Sequence, residues 1–145
     1  MNIREYQVND ESILLDVLSL LIPEYFAKSE LLDFKAYLQN ELEYYYVVEI
    51  EDKIVGAGGF NVLEERNVVR ISWDFVHTDF RGYGIGNRLI SFRLNLIKEL
   101  LPNFKVEVRT SQMAYLFYQK HGFKLKEVIV NYWAEGFDLY AMELV

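Results

Sequence analysis

Val76-His77-Thr78-Asp79-Phe80-Arg81-Gly82-Tyr83-Gly84-Ile85-Gly86 is the most informative stretch of this chain. It follows a segment with the apolar character of a strand and precedes one with helical spacing of its apolar residues. The alternate glycines leave the turn without Cβ atoms, so its backbone N–H groups can close around a phosphate at the helix N-terminus. Arg81 adds a positive charge beside them. The pattern indicates a pyrophosphate site formed by Gly82, Tyr83, Gly84, Ile85, Gly86 and Asn87.

The periodicity of the rest of the chain predicts the element order β-α-α-β-β-β-α-β-α-β-β. The predicted strands are Ile3–Val8, Tyr44–Ile50, Ile54–Val62, Val68–Val76, Lys105–Arg109, Phe123–Tyr132 and Phe137–Leu144. The predicted helices are Glu11–Leu21, Glu30–Glu41, Ile85–Leu101 and Ala114–His121, with Asn9 or Asp10 and Ser29 as expected caps of the first two. We therefore expect one α/β domain with a mixed sheet, spanning residues 1–145.

Composition and charge exclude several classes of function. A net charge of −7 disfavours nucleic-acid binding, which needs clustered cations. With no cysteine and only two histidines, we expect no metal site. The N-terminus lacks the apolar core of a signal peptide, and the longest apolar run, Ile13–Ile22, is too short to span a bilayer. A cytoplasmic protein without a membrane partner is therefore expected.

Two segments resemble motifs of the GNAT superfamily of acyl-CoA-dependent N-acetyltransferases. Residues 76–89 resemble its V-x-P-x-[FY]-R-G-x-G-[IL]-G-x-x-L segment, with Thr78 in place of the proline. Residues 114–123, Ala-Tyr-Leu-Phe-Tyr-Gln-Lys-His-Gly-Phe, are similar to its A-x-x-[LF]-Y-x-K-x-G-F segment. The resemblance covers the element order of the whole chain and implies a mostly antiparallel sheet of six to seven strands with about four helices. The glycines at 56, 58 and 59 lack the spacing of a dinucleotide fingerprint and indicate close strand packing instead.

The resemblance implies an acyltransferase that moves the acetyl group of acetyl-CoA directly to a primary amine. The acceptor is expected to be a small molecule, an amino acid or a peptide. A protein N-terminal or lysine acyltransferase and a CoA-binding sensor without catalysis are the alternatives. No feature of the chain identifies the acceptor, because one fold hosts many of them.

The resemblance also implies the roles of individual residues. The strand ending at Phe75 and Val76 separates from the strand at residues 106–108, and a backbone N–H of one of these two residues is expected to bind the thioester oxygen. Tyr118 occupies the position of a tyrosine that protonates the leaving thiolate. Ser111 or Gln112 stands where the family often has an asparagine that contacts the cofactor.

The general base is left open between Asp74, Glu107 and a chain of water molecules. The acceptor pocket is expected between the turn after the first helix and the last hairpin, and its candidate residues are Tyr25, Phe26, Trp73, Tyr132 and Trp133. A homodimer is a further expectation, with the strand Phe137–Leu144 pairing across an edge of the sheet.

Overall fold

A computed structural model describes residues 1–145, which form a seven-stranded sheet with helices on both faces. The strands are β1 (Asn2–Glu5), β2 (Tyr44–Ile50), β3 (Lys53–Leu63), β4 (Val68–Val76), β5 (Lys105–Thr110), β6 (Phe123–Ala134) and β7 (Phe137–Leu144). The helices are α1 (Glu11–Ser19), α2 (Glu30–Asn40), α3 (Ile85–Leu100) and α4 (Tyr115–Lys120). The order across the sheet is β1-β2-β3-β4-β5-β7-β6, and only the β4–β5 pair is parallel. The predicted fold class, a mixed and mostly antiparallel sheet, is confirmed.

Two hydrophobic cores lie on opposite faces of the sheet, because successive strand side chains alternate between the faces. Tyr45 and Val47 of β2 pack with α1 and α2, whereas Tyr46 and Val48 pack with α3 and α4. The second core has 15 buried residues and the first has 12, so neither face of the central strands is left to solvent.

A β-bulge interrupts β4 at Trp73 and Asp74. Ala57 of β3 pairs with Phe75 and Gly59 pairs with Ser72, so two residues of β4 oppose the single residue Gly58. Trp73 has a φ of 48°, which is uncommon for a residue with a side chain. The bulge keeps Trp73 in the core beneath α1 and α2 while Asp74 points to the opposite face.

Strands β4 and β5 pair only from Val68–Lys105 to Ile71–Val108. Beyond this point β4 continues for five residues, to Val76, without a partner on that side. The gap opens beside the bulge and runs through the sheet. The expected separation of the two strands is therefore present.

The bounds of the first elements and their predicted caps differ from the structure. β1 ends at Glu5 because the chain turns at residues 8–10, where the Asp10 carboxylate accepts the Gln7 N–H at 2.8 Å and pairs with Arg4. Asp10 precedes α1 without capping it through its side chain. Ser29 also fails as a side-chain cap, and the buried Glu30 carboxylate accepts the Ala27 N–H at 2.8 Å instead.

The expected edge pairing through Phe137–Leu144 is wrong. This strand, β7, lies between β5 and β6, so both its sides are occupied. The edges of the sheet are β1 and β6. None of the helices combines the length and the apolar character needed to cross a membrane.

Gly59 provides a test of the close strand packing. A Cβ there would overlap the Tyr44 carbonyl oxygen and lie 2.5 Å from Cδ1 of Tyr45. We expect Gly59→Ala to lower the free energy of unfolding by about 1–3 kcal/mol, measured by urea denaturation, because backbone atoms cannot move aside cheaply. Gly136→Ala is the control, since its Cβ would meet nothing within 4 Å and only the positive φ is strained. Equal losses in the two variants would refute the packing explanation.

Candidate active site

A cavity of about 1020 Å³ passes through the gap between β4 and β5. One end is lined by the turn that precedes α3, and the other by the segment between α1 and α2 and by the β6–β7 hairpin. The lining includes Tyr25, Phe26, Trp73, Asp74, Phe75, Val76, Arg81, Gly82, Gly84, Ile85, Gly86, Asn87, Ser111, Tyr118 and Trp133. A single cavity therefore contains most of the residues predicted from the sequence.

The turn that precedes α3 exposes a continuous set of backbone donors. None of the N–H groups from Arg81 to Asn87 donates a hydrogen bond within the chain, and the first helical bond runs from Arg88 N–H to the Gly84 carbonyl at 3.1 Å. Gly82 and Gly84 have φ values of 87° and 77°, which glycine adopts without strain. Free N–H groups at a helix N-terminus attract anions. This geometry fits the diphosphate that the sequence pattern predicts at this turn.

Arg81 lies at the mouth of the cavity, with its guanidinium carbon 4.0 Å from the ring centroid of Tyr25. No carboxylate lies within ion-pair distance of Arg81, so its positive charge is available to bind an anion. Asn87 turns its side chain to His121 instead, at 2.9 Å. Tyr83 is largely exposed and does not line the cavity.

Only one of the two predicted strand donors faces the gap. His77 donates its N–H to the Val55 carbonyl at 2.8 Å, and the Phe75 carbonyl also points toward β3, against Gly56. Backbone groups alternate in direction along a strand, so the Val76 N–H points away from β3 and into the gap.

Asp74 contacts two other polar side chains on the α3–α4 face of the gap. The Tyr118 hydroxyl donates to Asp74 Oδ2 at 2.6 Å. Arg93 of α3 places Nη1 2.5 Å from Asp74 Oδ1, and also donates to the carbonyls of Leu89 and Gly59. The Arg93–Asp74 contact is a close ion pair, so the positive charge of Arg93 lies against Oδ1.

The surroundings of Tyr118 keep its phenol protonated. Burial and the negative charge of Asp74 raise its pKa well above the usual value of 10, and the positive charge of Arg93 opposes part of this rise. Space for the cluster comes from Gly58, where a Cβ would overlap Asp74 Oδ1 and lie 2.9 Å from Arg93 Nη1.

Glu107 lies outside the cavity and is already paired. Its carboxylate accepts a hydrogen bond from Arg70 Nε at 2.7 Å and another from Arg66 Nη2 at 3.2 Å. Gln112 also lies outside, where it holds the last hairpin through Gly136 and Asp138.

Aromatic side chains line the end of the cavity away from the glycine turn. Phe26 stacks on Trp73 with ring centroids 6.3 Å apart, and the Trp133 indole donates to the Thr110 carbonyl at 3.1 Å. Tyr132 does not line the cavity; it contacts Arg109 through its hydroxyl and its ring.

Sequence reasoning missed Arg93, although a signal was present. Arg93 lies four residues after Leu89 and four before Ile97, in the middle of the apolar face of α3, and it is 1% exposed. A cation at such a position requires a buried partner.

Three further residues that line the cavity were missed as well: Tyr37, Asn61 and Ser72. The hydroxyls of Tyr37 and Ser72 donate to the Asn61 amide oxygen at 2.6 and 2.7 Å.

Comparison with known proteins agrees with this geometry. Residues 11–145 match the model of an acetyltransferase (GNAT) domain, so the chain belongs to the GNAT family of acyltransferases. An N-alpha-acetyltransferase of Sulfurisphaera tokodaii is 29% identical, over 97% of this chain and 90% of the relative. The fold is similar to the crystal structure of Ard1 from Thermoplasma volcanium, with a TM-score of 0.79, 24% identity and coverage of 99% and 97%. It is also similar to an aminoglycoside 6'-N-acetyltransferase complexed with coenzyme A, with a TM-score of 0.77, 19% identity and coverage of 99% and 96%.

The Tyr118–Asp74 hydrogen bond should contribute measurably to stability. We expect Tyr118→Phe to lower the free energy of unfolding by about 1.5–3 kcal/mol, because a buried carboxylate loses a hydrogen bond. Urea denaturation measures this loss. Tyr115→Phe, on the same helix, is the matched control because the Tyr115 hydroxyl makes no hydrogen bond. A Tyr118→Phe protein as stable as this control would show that the bond contributes nothing.

Proposed function

We propose that the protein transfers the acetyl group of acetyl-CoA directly to a primary amine. The observation that carries this proposal is the single cavity that joins the turn with free backbone N–H groups, at Arg81, Gly82 and residues 84–87, to Tyr118. Anion-binding groups at one end and a proton-carrying group at the strand gap are what a phosphate-anchored acyl donor requires. Coenzyme A supplies a thioester, whose acyl carbon is open to attack by an amine.

The glycine turn would hold the diphosphate and the strand gap would hold the extended arm. The free N–H groups and Arg81 provide the anion contacts. The Val76 N–H is the proposed donor to the thioester oxygen, because it points into the gap and has no partner strand there. Ser111 lines the same cavity and is the proposed polar contact to the arm.

Tyr118 is the proposed acid for the leaving thiolate. Its phenol stays protonated at neutral pH and lies at the gap, whereas Glu107 is outside the cavity and neutralised by two arginines. We therefore assign proton removal from the acceptor to Asp74 or to water and leave Glu107 a role in holding Arg70.

The acceptor amine would enter at the aromatic end of the cavity. Tyr25, Phe26, Trp73 and Trp133 offer ring faces, which attract an ammonium group, and Glu41 and Glu43 add negative charge. The similarity to an N-alpha-acetyltransferase makes the terminal amine of a peptide the first acceptor to test. The aminoglycoside enzyme of similar fold acts on a small molecule, so small amines and amino acids form the second part of the panel.

Thiol release from acetyl-CoA in the presence of each amine tests the activity. We expect amine-dependent turnover by the native protein and a fall in kcat of about 10²–10⁴-fold in Tyr118→Phe, because the proton donor is removed. Tyr115→Phe should retain the native rate. Tight CoA binding without turnover on any amine would favour the non-catalytic sensor.

Calorimetric titration with coenzyme A tests the anion site. We expect Arg81→Gln to weaken binding about 10-fold, because a charged contact to phosphate is lost. Lys98→Gln in the last turn of the same helix changes the charge equally, far from the glycine turn, and should bind as the native protein does. Equal affinities in Arg81→Gln and Lys98→Gln would remove Arg81 from the site.

A further inference from the structure

The buried Arg93–Asp74–Tyr118 cluster lies at the point where the proposed reaction breaks its C–S bond. We propose that Asp74 acts as a proton store for Tyr118, and that Arg93 is the positioning residue that holds the Asp74 carboxylate in place. The inference rests on the proposed function and identifies how the Tyr118 proton is supplied and replaced.

The first argument is the arrangement of the two carboxylate oxygens. Oδ2 accepts the Tyr118 hydroxyl at 2.6 Å, so the phenol proton already points to Asp74. Oδ1 lies 2.5 Å from Arg93 Nη1, so the two oxygens of the carboxylate have separate partners. Oδ2 is therefore the oxygen that can exchange a proton with the Tyr118 hydroxyl.

The second argument is the cost of leaving Tyr118 without its proton. Both Tyr118 and Arg93 are buried, and Asp74 is the carboxylate beside them. A phenolate here would be buried and would lie next to an ionised carboxylate. Burial first, and the charge of Asp74 second, raise the pKa of Tyr118. Tyr118 therefore gives its proton to sulfur readily only if Asp74 replaces that proton at the same time.

The proton balance of the reaction fits this scheme. An acceptor ammonium must lose two protons as its nitrogen forms the bond to the acetyl carbon. One proton passes to Asp74, through the Tyr118 oxygen, and the other leaves to water. When the C–S bond breaks, its electron pair stays on sulfur, Tyr118 protonates that sulfur, and Asp74 returns its proton to Tyr118. The free thiol, the amide and an ionised Asp74 result.

The third argument is the position of Arg93. Every hydrogen bond of its guanidinium goes to this chain, to the carbonyls of Leu89 and Gly59, and its ion pair goes to Asp74. It is 1% exposed. Buried ion pairs rarely stabilise a fold more than apolar residues of the same size would. A fixed cation is useful here because it holds the Asp74 carboxylate in place against the Tyr118 hydroxyl.

A double-mutant cycle tests the inference with intact protein. We expect Asp74→Asn to lower kcat on the order of 10²-fold, with the KM for acetyl-CoA unchanged, because the proton supply is lost while the anion site is kept. In the Tyr118→Phe background the same substitution should lower kcat by less than about twofold further, because residues that act as one unit are not additive. Glu49→Gln, which breaks the Arg4–Glu49 ion pair on β1 and β2, is the control for the carboxylate-to-amide change and should leave kcat unchanged.

The outcomes separate the two proposals. Native protein that turns over no amine refutes the proposed function, and the proton store with it. Native protein that turns over amines while Asp74→Asn has no effect, or has the same effect with and without the Tyr118 hydroxyl, refutes the proton store alone. If Asp74→Asn fails to bind coenzyme A in calorimetry, Asp74→Glu replaces it, since this variant keeps the charge that Arg93 needs. The loss of kcat expected for Asp74→Glu must also disappear in the Tyr118→Phe background.

Discussion

The end of pairing between β4 and β5 is the constraint on which the rest of the site depends. The two strands share hydrogen bonds only up to Ile71 and Val108, and the bulge at Trp73 follows at once. Unpaired backbone in a sheet interior is costly unless another group binds it. The gap therefore explains why one cavity reaches both faces of the sheet, and why the Val76 N–H has no partner strand on that side.

The bulge sets the chemistry on each side of this gap. It leaves Trp73 among the aromatic residues beneath α1 and α2, and turns Asp74 toward Arg93 and Tyr118. A regular strand would shift the pattern of faces by one residue from this point onward. The aromatic end and the polar cluster thus follow from one extra residue in β4, and Gly58 makes room for it on the neighbouring strand.

The sequence pattern predicted the secondary-structure elements that depend only on residues adjacent in the chain. Apolar alternation gave β2, β4 and β7 with their observed bounds, because each is a run of strand-forming residues between clear turns. Caps were less predictable. Asp10 and Ser29 have the right side chains, but Asp10 bonds elsewhere and Glu30 binds the Ala27 N–H in the turn beside Ser29. The edge position of β6 was missed because strand order in a sheet depends on long-range pairing.

The sequence by itself determined the glycine turn, the helix that follows it, the resemblance carried by the two motifs and the location of Tyr118. These features depend on backbone freedom and on short spacings, which are properties of adjacent residues. Only the tertiary structure decided that Glu107 is neutralised outside the cavity and that Arg93, which is 19 residues from Asp74 along the chain, shares a buried ion pair with it. The packing of helices on the sheet determines which residues pair with buried charges. This packing depends on residues far apart in the chain, so the local sequence does not predict it.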